Sequence, residues 1–133
     1  MDRIKSFKLF ESENYYQTTS WTDTIDGAEK TITIQEVEEY LDSVNAPVKE
    51  VEVDEIIHLC AHRDKTDTET LERSERANLS YPIIISRDKT GKYNMILDGM
   101  HRVLKAYNHK MLKIKARILD LREAPRDLQI MFR

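Results

Sequence analysis

The fold is decided by the segment NMILDGMHRVLKA, residues 94–106. Its first half predicts a strand, and its second half predicts a helix that begins just after Gly99. Backbone N–H groups in the first turn of a helix have no partner within the helix, and the helix dipole adds partial positive charge there. Arg102 adds a cation whose fork geometry matches phosphate oxygens. The turn therefore predicts a phosphate site.

The segments around this turn predict a small α+β fold. A capping box begins the clearest helix, since the side chains of Thr33 and Glu36 can each accept a hydrogen bond from an N–H group that has no other partner at the start of the helix. Polar residues with scattered aromatics at 14–26 predict irregular structure that ends in an Asp26-Gly27 turn. Strands are predicted at 48–53, 81–86, 93–97 and 114–118, and helices at 33–44, 66–78 and 100–108.

The predicted organisation is one globular unit in three parts. Residues 1–47 are an extension with one amphipathic helix packed on the core, residues 48–121 form the main domain, and residues 122–133 are a tail. The single cysteine, the start without an apolar signal segment and the lack of a long apolar run predict a cytoplasmic protein with no membrane contact.

The net charge is −3, which does not favour DNA binding by bulk charge. The final third is nevertheless locally basic, so DNA remains a possible partner through Lys113, Lys115 and Arg117. The alternative reading of these three residues is a solvated surface. His58, Cys60 and His62 also alternate as they would on an extended strand, an arrangement that allows a transition-metal site but does not favour one, because no fourth ligand is evident.

The order of these elements resembles that of the ParB/sulfiredoxin superfamily over about residues 48–121. The resemblance rests on VEVDEI at 51–56, LSYPI at 79–83 and DGMHR at 98–102. The last motif is Gly-Glu-Arg-Arg around the CTP triphosphate in ParB proteins, and Gly-Cys-His-Arg in sulfiredoxin. It is Asp-Gly-His-His-Arg in the free serine kinases of the superfamily, which is the nearest match. Because Met100 stands at the position of the sulfiredoxin cysteine, sulfinic acid reduction by that route is excluded.

The resemblance implies a ParB/sulfiredoxin-like mixed sheet with flanking helices that binds ATP, ADP or CTP with Mg²⁺. Catalytic roles fall on Asp98, His101 and Asp64, and Asp98 would also hold the metal. The base and ribose would lie on Ser80, Tyr81 and Pro82. The implied phosphate contacts are Gly99, Met100, His101, Arg102 and Arg63.

Two of these residues have a simpler reading. Arg102 can pair with a nearby carboxylate, and Asp98 can cap the helix that follows it. The leading functional hypothesis is Mg²⁺-dependent phosphotransfer of the kinase type, or nucleoside triphosphate hydrolysis, on an unidentified acceptor. The second is a non-enzymatic, nucleotide-gated module that binds DNA or protein, and the third is a ParB-like nuclease.

Overall fold

The computed structural model describes residues 19–60 and 68–133. The chain divides into two compact units, Met1–Tyr40 and Leu41–Arg133. The predicted docking of the N-terminal extension on the core stays a prediction, as do the roles assigned to Arg63 and Asp64, which lie outside the described residues. The second capping box, at residues 66–69, and His62 lie outside the described side chains too.

The described part of the first unit is a hairpin that leads into a helix. Strands β1 (Ser20–Ile25) and β2 (Ala28–Thr33) are antiparallel and joined by the predicted Asp26-Gly27 turn. The prediction of irregular structure at 20–25 was wrong. Only Ile25 is buried in β1, so this strand is held by backbone pairing and carries no apolar alternation that the sequence could reveal.

Helix α1 (Ile34–Ser43) begins at the predicted capping box. The Thr33 N–H donates to Glu36 Oε1 at 2.8 Å, and the Glu36 N–H donates to Thr33 Oγ1 at 3.2 Å. Ile34, Val37 and Leu41 are buried at helical spacing. The capping box is therefore confirmed.

The second unit contains a mixed four-stranded sheet in the order β3-β6-β4-β5. β4 runs parallel to β6, whereas the β3–β6 and β4–β5 pairs are antiparallel. The α+β class is thus confirmed, and the four predicted strands are present with small shifts in their bounds. The strands are β3 (Lys49–Glu52), β4 (Ile83–Arg87), β5 (Tyr93–Asp98) and β6 (Lys113–Asp120).

Helix α4 (Met100–Asn108) covers one face of this sheet. Its buried residues Val103, Leu104 and Ala106 share a core with Ile83 and Ile85 of β4. Full burial of each such aliphatic side chain contributes roughly 1.5–3 kcal/mol. The other helical elements of this unit are α2 (Val53–Ile56) with a 3₁₀ turn (Ile57–Cys60), α3 (Thr68–Arg76) and α5 (Arg126–Met131).

The C-terminal tail is part of the core. Leu128 is buried and Phe132 is fully buried. The Phe132 carbonyl accepts a 2.9 Å hydrogen bond from the Asn94 side-chain amide, and Asn94 in turn accepts one from the buried Ser86 hydroxyl. Leu128 and Phe132 of the tail therefore pack inside the molecule, whereas Ile130 and Met131 are only partly buried.

Asp120, at the end of β6, is held by a fork of hydrogen bonds. Arg122 donates to it through Nε at 3.0 Å and Nη2 at 2.8 Å, and through its backbone N–H at 3.0 Å. The Arg122 guanidinium is the main reason that the pKa of Asp120 lies below its usual value. A lowered pKa in the folded state stabilises the protein above the unfolded-state pKa, and this stabilisation is lost as the pH falls through the folded-state pKa.

We expect Asp120→Asn to lower the free energy of unfolding at neutral pH, because the charged form of Asp120 is the form that Arg122 stabilises. The difference from wild type should shrink below about pH 5 and vanish well below the ordinary Asp pKa of about 3.9. Urea unfolding at several pH values measures it. A difference that stays constant with pH would contradict the stabilising role of the charge.

Candidate functional site

The predicted phosphate turn is a tight junction between β5 and α4. Gly99 has φ = +97°, which disfavours any residue with a side chain. A Cβ atom there would lie 2.7 Å from Cγ2 of Ile83, whose side chain is buried in the core, and 3.1 Å from Cζ of Arg102. Glycine is therefore required both by the backbone conformation and by the close approach of the turn to β4.

Arg102 bridges this turn to the residues that precede β4. Its Nη1 donates to the Tyr81 carbonyl at 3.1 Å and to the Pro82 carbonyl at 2.6 Å. Its Nη2 donates to Asp98 Oδ2 at 3.2 Å. Within the described part of the chain, these bonds use three of the five N–H donors of the guanidinium.

The bridge joins the Tyr81–Pro82 segment to the Asp98–Arg102 turn, and both are predicted to contact the same nucleotide. Tyr81 and Pro82, two of the residues predicted to contact the base and ribose, are hydrogen-bonded through their carbonyls to Arg102 of the predicted phosphate turn. The Tyr81 carbonyl is held by Arg102, whereas the Tyr81 side chain is 64% exposed. Ser80 is also exposed, and its N–H donates to Asn78 Oδ1 at 2.9 Å.

Asp98 does not cap α4, which has Gly99 at its N-cap position and no side-chain cap. The Asp98 carboxylate faces Arg102 and is 40% exposed, whereas the Arg102 side chain is only 17% exposed. A cation is disfavoured in the first turn of a helix, and Asp98 together with the two carbonyls offsets that cost. The chain itself therefore supplies the carboxylate partner that the simpler reading of Arg102 expected.

The remaining residues of the motif differ in position. Met100 is partly buried and packs against the hydrophobic core, so its side chain is committed to packing. His101 is partly exposed in the first turn of α4. Of the motif's side chains, those of His101 and Asp98 are therefore partly exposed, whereas that of Arg102 is largely enclosed by its bridge.

Two further basic residues, Lys105 of α4 and His109 at its C-cap, were not predicted from the sequence. Lys105 Nζ donates to the carbonyls of Glu75 and Ala77, each at 2.9 Å, and His109 Nε2 lies 2.7 Å from Glu75 Oε2. Together with Arg102 they form a stripe at i, i+3 and i+7, which is one face of a helix. The spacing was visible in the sequence, but its backbone carbonyl acceptors have no sequence signature.

The His58 and Cys60 arrangement does not have the extended geometry that a strand would give. Cys60 is fully buried in the 3₁₀ turn, and His58 is exposed. Val53, Ile56 and Cys60 are buried at helical spacing, so burial and not metal binding accounts for Cys60. Across residues 19–60 and 71–133, no three His, Cys, Asp or Glu side chains are grouped to hold a metal ion.

The basic residues of β6 lie in a mixed charge environment. Lys113 and Lys115 are opposite Glu52 and Glu50 of β3. Arg117 Nη1 bonds to Asp42 Oδ1 at 2.8 Å, and its Nη2 bonds to the Ala46 carbonyl at 3.1 Å. DNA binding through this strand stays a prediction that the surrounding acids do not favour.

No protein family, curated protein or solved structure matches this chain. None of the described helices is long and apolar enough to cross a membrane.

The close approach at Gly99 should make alanine more costly there than at Gly91, which serves as the control. Gly91 has a similar φ of +91°, but a Cβ there meets only the flexible end of Arg122 at 3.4 Å. We expect Gly91→Ala to cost about 1–2 kcal/mol from backbone strain. Gly99→Ala should cost about 1–3 kcal/mol more, because it also crowds the core.

Urea unfolding of both variants measures the two costs. Equal losses would mean that the space between the turn and Ile83 does not require glycine.

Proposed function

We propose that the Asp98–Arg102 turn binds the phosphate groups of a nucleotide: ATP, ADP or CTP. The observation that carries this proposal is the Arg102 bridge, which holds the Tyr81–Pro82 backbone against the turn. A site of this kind is pre-organised, so a ligand that spans both segments does not bear the entropic cost of bringing them together.

Several donors of the turn suit an anion. The N–H groups of Met100 and His101 lie at the positive end of the α4 dipole, ahead of the Arg102 N–H, which donates to the Gly99 carbonyl at 2.9 Å. No acidic residue occupies that turn. His101 is partly exposed beside them, and the N–H donors of Arg102 beyond the three used in its bridge can also reach an anion. Phosphate oxygens would accept from this set.

The exposed ring of Tyr81 suits the other end of the ligand. Its backbone is fixed by Arg102 while its side chain is 64% exposed, so the ring can serve as a platform for a base. Stacking of a base on an aromatic side chain contributes about 1–3 kcal/mol in single-stranded nucleic acid complexes. Ser80 and Pro82 would contact the ribose through their backbone.

Mg²⁺ bound to the nucleotide fits Asp98. Mg²⁺ in nucleotide sites is commonly held by one or two carboxylates together with substrate phosphates and water, and the Asp98 carboxylate is partly exposed. When bound, the metal would neutralise charge that develops on the phosphates during transfer. Asp98, through the metal, and Arg102 would hold the phosphate in place. His101 would accept the proton that the acceptor hydroxyl or the attacking water loses. The proposed reaction is phosphotransfer or hydrolysis.

Binding without turnover is the second candidate, and one observation favours it. Across the described side chains, Asp98 belongs to no group of three His, Cys, Asp or Glu residues that could hold a metal ion. A non-enzymatic nucleotide switch needs none. Release of phosphate from ATP or CTP in the presence of Mg²⁺ would separate the two candidates.

Titration calorimetry with ATP, ADP and CTP, each with and without Mg²⁺, tests the binding proposal. We expect His101→Gln to weaken nucleotide affinity about tenfold, the effect of one charge-assisted contact. His109→Gln is the matched control, since it makes the same change at the other end of α4 and should leave affinity unchanged. No binding by the wild type, or equal loss in both variants, would refute the proposal.

A second matched pair isolates the fork geometry of Arg102. Arg117 is similarly enclosed, with 19% of its side chain exposed against 17% for Arg102, and it also bonds to a carbonyl and an aspartate. Arg102→Lys and Arg117→Lys should therefore cost comparable stability. Only Arg102→Lys should weaken nucleotide binding.

A further inference from the structure

A groove of about 700 Å³ lies between the β4–β5 turn and helix α5. It shares no residue with the Asp98–Arg102 turn. Its volume is within the range of about 300–1,000 Å³ that is common for small-molecule sites. Nothing in the proposed nucleotide site uses it.

The rim of the groove is basic. Lys89, Arg126 and Arg133 line it, and Asp88 is the one acidic residue among its lining side chains. Asp88 Oδ1 accepts hydrogen bonds from the Thr90 N–H at 2.8 Å, the Thr90 hydroxyl at 2.6 Å and the Lys92 N–H at 3.0 Å. These bonds hold the Asp88 carboxylate in its own turn. Three cationic side chains against this one carboxylate give the lining of the groove an excess of positive charge.

The floor of the groove is apolar. Leu121 and Ile130 contribute to its lining. Leu121 is anchored because its N–H donates to the Arg87 carbonyl at 2.9 Å. Helix α5 is anchored by the buried side chain of Phe132 and by the bond from Asn94 to its carbonyl. Leu121 and helix α5 are therefore each held in place by contacts outside the groove.

We propose that this groove binds a small amphipathic anion: an apolar chain or ring that carries a single carboxylate, sulfonate or phosphate group. The apolar body lies on Leu121 and Ile130, and the anionic head lies among Lys89, Arg126 and Arg133. The basic rim favours a negative head, and the apolar floor favours burial of a body that inorganic anions lack.

Amide chemical-shift mapping with octanoate tests the proposal. Acetate, which has the carboxylate without the long apolar chain, and octanol, which has the chain without the charge, are the comparison probes. Octanoate should shift the amides of residues 88–90, 121 and 126–131, and bind at least about tenfold more tightly than acetate or octanol. Shifts elsewhere, no shifts at millimolar octanoate, or equal affinity for octanoate and octanol would overturn the proposal.

Two lysines of the same hairpin provide a matched pair of variants. Lys89 lines the groove, whereas Lys92 does not, and both side chains are exposed, so neither change should disturb folding. Lys89→Gln should weaken octanoate binding several-fold, about the effect of one rim charge, and Lys92→Gln should not. Arg126→Gln, on the opposite wall, should have an effect similar to that of Lys89→Gln. Equal affinities in all these variants and the wild type would overturn the proposal.

Discussion

The hydrogen bonds of the Arg102 guanidinium are the constraint on which the candidate site depends. One side chain holds the Tyr81 and Pro82 carbonyls and the Asp98 carboxylate. Backbone carbonyls that lead into a strand would otherwise need other partners, and an arginine in the first turn of a helix would otherwise oppose the dipole. Each group offsets the cost of the other. The start of β4, the end of β5 and the start of α4 therefore form one unit.

Helix α4 extends the same arrangement along its length. Lys105 donates to the Glu75 and Ala77 carbonyls at the C-terminal end of α3, and His109 pairs with the Glu75 carboxylate. The end of α3 therefore lies along one face of α4. The opposite face buries Val103, Leu104 and Ala106 in the core. Gly99 allows this placement because any side chain there would meet Ile83. The site geometry thus follows from core packing on one side and cation-to-carbonyl bonds on the other.

Local patterns in the sequence predicted the capping box of the first unit and most elements of the second unit, but not the long-range bonds. The Thr33–Glu36 capping box, the triple isoleucine of β4 and the alternation in β6 each have a local physical cause, and each prediction was confirmed. β1 was missed because an exposed strand carries no apolar period. A carboxylate partner for Arg102 was expected and is present in Asp98. Its two carbonyl partners could not be predicted, since they lie about 20 residues away and every residue has a carbonyl. The ParB/sulfiredoxin resemblance rests on short motifs and stays a prediction, because none of the comparisons with known proteins tests it.

Amide hydrogen exchange with and without ATP and Mg²⁺ tests the central claim most directly, because it reports on the two bridged segments separately. If one ligand spans the Arg102 bridge, exchange should slow together in residues 80–84 and 99–104, and the hairpin turn at 88–92 should be unchanged. Slowed exchange in only one of the two segments, or in neither, would contradict the account.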